Sequence, residues 1–176
     1  MRGYCPRVGG KERSSPLSFV SSRAMSGNSQ KVLSIFVDES GTFRHPDPDS
    51  RFYVVGMVFH DQGFDIGPLV RNLDQNVEAI GLDKDTFYFH AGPLIRKEKG
   101  YAFFNRNLRG RIFGRMMTFA RKAEFRYHCL SVDKKFVTSS LQIASRLQKE
   151  LVDFLAAHRD ALDAVGKVKV YYDCGQ

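Results

Sequence analysis

Two aspartates stand where apolar runs give way to glycine-containing turns. Asp38 follows Val32-Leu33-Ser34-Ile35-Phe36-Val37 and precedes Glu39-Ser40-Gly41. Asp173 follows Val168-Lys169-Val170-Tyr171-Tyr172 and precedes Cys174-Gly175-Gln176. If the two runs are neighbouring parallel strands, the carboxylates meet, and a divalent cation such as Mg²⁺ or Mn²⁺ relieves their repulsion. Carboxylates that hold such ions can activate water and steady a leaving oxygen in phosphoryl transfer. Each aspartate alone also has an ordinary use, capping a turn or opening an Asx-turn before Gly175. Alternation along a strand puts Asp38 on one face with Ser34 and Phe36, turns Glu39 to the other, and groups Asp173 with Tyr171 and Lys169.

Other groups could complete such a site. Glu150 falls on the helix expected before the last strand and is a candidate third ligand, or an ordinary surface glutamate. His90 ends the short aromatic run Phe87-Tyr88-Phe89, expected as a strand, just before Gly92-Pro93. It could orient a phosphate, bind a metal or act as a base, or be satisfied by backbone hydrogen bonds. Glu98 is the only acid in a basic segment and is expected to favour a helix N-terminus. His45 lies in a Pro/Asp loop, and His60, His128 and His158 carry no local signature.

The charge of +8 is local: residues 1–30 contribute +4, residues 96–122 contribute +8, and the remainder sums to −4. On the helix expected at 98–121, Arg111, Arg115 and Lys122 form a stripe with Arg106 on its flank. Such a row could follow a nucleic-acid backbone, or simply be a solvated face. Arg109 falls inside the apolar arc and requires a partner or a bend at Gly110. No phosphate-cradling glycine loop, nucleophile elbow or zinc-protease helix is present. Three cysteines, odd in number and without Cys-x-x-Cys spacing, predict a reducing, cytoplasmic compartment without structural disulfides or a thiolate zinc site. No apolar stretch approaches the roughly 18 residues of a membrane span, which predicts a soluble protein without a membrane partner.

With 43% hydrophobic residues among 176, the chain can bury one sizeable core. Residues 1–30, rich in Gly, Ser and Arg, are expected as a disordered leader or extension, with Met25 as an alternative start. Within 31–176, strands are expected at 32–37, 52–59, 125–132 and 167–172. A helix opened by Asp65 and Pro68 and closed by Gly81 should bury Leu69, Val70, Leu73, Val77 and Ile80. A helix at about 139–160, capped by Thr138 or Ser139, should bury Leu141, Ala144, Leu147, Leu151 and Leu155. A right-handed crossover through that helix returns the last strand parallel to the first. The expected fold is therefore α/β: a ribonuclease-H-like mixed sheet of three antiparallel strands, a helix and a parallel strand, with a helical insertion after the second strand.

Phe36-Val37-Asp38-Glu39-Ser40-Gly41, Phe89-His90-Ala91-Gly92-Pro93 and Tyr171-Tyr172-Asp173-Cys174-Gly175-Gln176 together resemble the bacterial and phage domain-of-unknown-function family 3800 over residues 31–176. The resemblance implies a ribonuclease-H-like fold, with Asp38 and Asp173 as metal-binding acids and His90 as the recurrent histidine. Members continue beyond the Gly-Gln motif, so the chain is expected to be an incomplete copy of the domain. The leading expectation is a metal-dependent nuclease. Its rivals are a catalytically silent nucleic-acid-binding or defence-associated module of the same fold, and an inactive truncated copy.

Overall fold

The computed structural model describes residues 31–172; the expected leader at 1–30 and Asp173 lie outside the described residues. Runs of β-branched and aromatic residues form four strands, β1 (Val32–Ser40), β2 (Phe52–Asp61), β3 (Arg126–Asp133) and β4 (Lys167–Tyr172). They build one open mixed sheet in the order β3-β2-β1-β4. β1 and β2 are antiparallel, as are β2 and β3, while β4 runs parallel to β1. The chain is thus α/β, with the strand order and directions expected.

Between β2 and β3 lies the helical insertion: α1 (Gly67–Glu78), α2 (Ala91–Arg96) and α3 (Arg106–Lys122). Between β3 and β4 lie α4 (Ser140–Ala157) and α5 (Arg159–Asp163). Among the described residues, no helix is long and apolar enough to cross a membrane.

Alternation gives the sheet two unlike faces. Leu33 and Ile35, with Tyr53, Met57, Phe59, Leu130 and Val132, form the buried face. Helix α4 covers it with Ile143, Leu147 and Phe154, the last stacked flat on His128 at 4.2 Å between ring centroids. This corrects the expected helix face. Leu147 is buried as expected, but Ile143 is fully buried, Leu141 is 76% exposed, and Leu151 and Leu155 also reach solvent. The helix carries two adjacent apolar stripes, and the sheet selects the one that brings Phe154 onto Phe59 and His128.

Two further boundaries differ from expectation. Residues 87–90 are not a strand; Phe87 and Phe89 instead pack edge-on in a second cluster around Leu94, Tyr101 and Ile112. Helix α3 starts at residue 106 rather than 98, because Lys97 and Lys99 adopt left-handed backbone conformations that interrupt the helix. Asn105 then caps α3 by accepting a 2.8 Å hydrogen bond from the Leu108 N–H. Arg109 finds its partner: its guanidinium donates to the carbonyls of Leu94 and Ile95 at 2.9 and 3.0 Å, closing the end of α2.

Candidate metal and nucleic-acid site

β1 ends with Ser34, Phe36 and Asp38 aligned on the face of the sheet opposite α4. Ser34 is buried and accepts a 2.6 Å hydrogen bond from the Gln62 side chain. Asp38 is exposed, and its Oδ1 accepts from the Glu39 N–H at 2.8 Å. Glu39 turns to the opposite face, where the buried Tyr53 hydroxyl donates to its carboxylate. The two neighbouring acids are thus separated by the strand, as alternation predicts.

Asp38 lies opposite Gly56 of β2. Here a shallow depression of about 550 Å³ is lined by Phe36, Val37, Asp38, Gly56, Val58, Tyr171 and Tyr172. A Cβ at Gly56 would meet only the Asp38 carbonyl oxygen at 3.7 Å, so the backbone does not require glycine. What glycine provides is room beside the carboxylate. On the other flank, the parallel ladder pairs Phe36 with Tyr171 and Val37 with Tyr172.

Two other acids at this end of the sheet already hold cations. Arg51 donates two hydrogen bonds to one Asp133 carboxylate oxygen, at 3.0 and 2.6 Å, and a third to its partner at 3.2 Å. Lys134 meets Asp47 at 2.6 Å in a pair whose side chains are both almost wholly buried. Hydrogen bonding from Lys134, then from Thr42, holds the Asp47 carboxyl well below the usual carboxylate range. Arg51 does the same for Asp133. Asp38 has no such cation among the described residues, so its charge is left available.

The other candidates are distributed over the helices. His90 is the N-cap residue of α2; its backbone N–H donates to the Tyr101 hydroxyl at 2.9 Å, and its side chain is exposed. It belongs to the helical insertion, where α2 packs on α3. Glu150 is exposed on α4. Glu98 pairs with Arg96 at 2.8 Å, which lowers its carboxyl titration.

Arg106, Arg111, Arg115 and Lys122 are all exposed on α3, and none makes an ion pair among the described residues. Arg115 and Lys122 border a narrow groove between α1 and α3, together with Asn72, Asn76 and Thr118. This surface offers cations beside amide groups, a combination suited to phosphate oxygens.

An exposed, unpaired carboxylate fits the oxygen preference of a hard divalent ion. Among the described residues, no group of three or more His, Cys, Asp or Glu side chains is arranged to hold a metal; Asp173 lies outside the described residues. Sequence reasoning did not single out Gly56 as part of the site. Its signal was a lone glycine inside the apolar run Phe52–Phe59, the pattern that marks a close approach or an opening in a strand. Compared with models of known families, with curated proteins and with solved structures, the chain matches none.

Proposed function

We propose that this chain is a ribonuclease-H-like, divalent-metal-dependent phosphodiesterase that acts on nucleic acid. Asp38 and Asp173 hold Mg²⁺ or Mn²⁺, His90 assists, and Arg106, Arg111, Arg115 and Lys122 grip the phosphate backbone. The observation that carries this reading is the parallel β1–β4 ladder. It runs in register to Val37 and Tyr172, and in both strands the next residue in sequence is an aspartate. The motif resemblance to domain-of-unknown-function family 3800 supports the same pair of acids.

A bound Mg²⁺ or Mn²⁺ supplies Lewis acidity and a water of lowered pKa. The protein's share is positional. Asp38 offers its carboxylate beside the opening at Gly56, and the unpaired cations of α3 add non-specific phosphate affinity.

The test is cleavage of labelled single- and double-stranded DNA and RNA by the full chain. Cleavage that requires added Mn²⁺ or Mg²⁺ and disappears in Asp38→Asn, with unchanged circular dichroism, is the expected result. Binding without cleavage under every metal condition would instead support the catalytically silent binding module.

A further inference from the structure

The face of the sheet opposite α4 carries a straight row of side chains across all four strands. Tyr127 of β3 is the register partner of Val58, Val58 is that of Phe36, and Phe36 is that of Tyr171. Alternation puts all four on the face opposite the α4-covered core. Neighbouring members are therefore about one strand spacing apart, roughly 4.8 Å. Phe36 and Tyr171 stack with ring centroids 4.9 Å apart and only 13° between planes. The three rings remain accessible: Tyr127 is 77% exposed, Phe36 44% and Tyr171 45%.

Polar groups flank this row on both sides. Two residues along β1, about 6.6 Å away, is Asp38. Two and four residues back along β4, on the same face, are Lys169 and Lys167, register partners of Ser34 and Val32. Neither lysine makes an ion pair among the described residues. The face thus presents, in order, a carboxylate, an aromatic row and unpaired cations.

We propose that this face is a stacking platform for single-stranded nucleic acid. Bases lie on Phe36, Tyr171 and Tyr127, Lys167 and Lys169 take backbone phosphates, and the strand passes Asp38 one row away. The inference rests on the phosphodiesterase reading and names its substrate: a single strand, because paired bases in a duplex cannot present their faces to a sheet. The unpaired lysines favour a polyanion over an apolar protein segment as the occupant. An aromatic platform bordered by cations also predicts little sequence preference.

The test measures binding by fluorescence anisotropy in EDTA, so that it does not depend on catalysis. The ligands are a labelled 12-residue oligothymidine, an abasic strand of equal length and a duplex. Oligothymidine should bind about tenfold more tightly than the abasic strand, and Phe36→Ala, Tyr171→Ala and the highly exposed Tyr127→Ala should each weaken it by roughly fivefold to tenfold. Phe36→Tyr should restore it, and duplex affinity should be unchanged in all four variants. Equal affinity for oligothymidine and the abasic strand would overturn the proposal. So would ring variants that alter only self-association in sedimentation. Metal-dependent cleavage is scored separately: a wild-type chain that binds as expected but never cleaves would remove the phosphodiesterase reading and leave the platform standing.

Discussion

Val37 and Tyr172 are register partners on parallel neighbouring strands, and Asp38 is the next residue beyond that pair on β1. Such a ladder brings equivalent ends of two strands to one edge of the sheet. Asp38 reaches this edge exposed and, among the described residues, without a cation, beside a depression that Gly56 helps to line. The nearby acids Asp47 and Asp133 pair with Lys134 and Arg51, whereas Asp38 makes no ion pair among the described residues.

Filling the opening should separate activity from folding. Gly56→Leu places an alkyl group where a Cβ meets nothing closer than 3.7 Å, so stability should change little. Metal-dependent cleavage should fall by about tenfold or more as the substrate is displaced from the carboxylate. Parallel thermal melts and cleavage rates measure the two effects.

The exposed cations of α3 should appear in salt dependence. Arg111→Ala combined with Arg115→Ala should reduce the slope of log affinity against log salt by about two, with a similar loss for every nucleic-acid sequence tested. An unchanged slope in anisotropy titrations from low to moderate salt would show that α3 does not contact phosphate.

Acid should attack the loop before β2. Asp47 titrates lower in the folded chain than the roughly 3.9 of an unfolded aspartate, chiefly because of Lys134. Its stabilising contribution is therefore complete above the unfolded value and is lost as pH falls through the folded one. Chemical denaturation between pH 6 and 2 should show stability dropping from about pH 4 downward, and Asp47→Asn should flatten that drop while lowering stability at neutral pH. Lys134→Met should destabilise at neutral pH, since it strands a buried carboxylate.

The face that α4 turns to the sheet can be tested by paired truncations. Ile143→Ala empties a fully buried site and should cost about 2–5 kcal/mol. Leu141→Ala, at a 76% exposed position, should stay within about 0.5 kcal/mol of wild type. Equal losses would restore the stripe expected from sequence.

The four strands of the sheet and their directions were legible because β-branched runs and a crossover helix admit few arrangements, and β4 matched its expected limits, 167–172, although the aromatic run at 87–90, also expected as a strand, is not one. The rotation of α4 was not legible. Residues 141–155 carry two apolar stripes, and only contact with Phe59 and His128 decides between them. The start of α3 was hidden because Lys97 and Lys99 take left-handed conformations that their residue type does not announce. The need of Arg109 for a partner was readable from helical periodicity, but its identity, the carbonyl end of α2, required the packing of two helices. At the site, the faces of Asp38 and Glu39 followed from alternation. The four-strand aromatic row did not, since it depends on register between segments far apart in sequence.

The most direct measurement is Mn²⁺ affinity of the full chain, read from the electron paramagnetic resonance signal of free ion. Wild-type protein should bind Mn²⁺ at a site from which Mg²⁺ competes it, and Asp38→Asn and Asp173→Asn should each weaken binding by about tenfold or more without altering circular dichroism. Affinity unchanged by both substitutions would contradict a shared ion between the two strand-end aspartates.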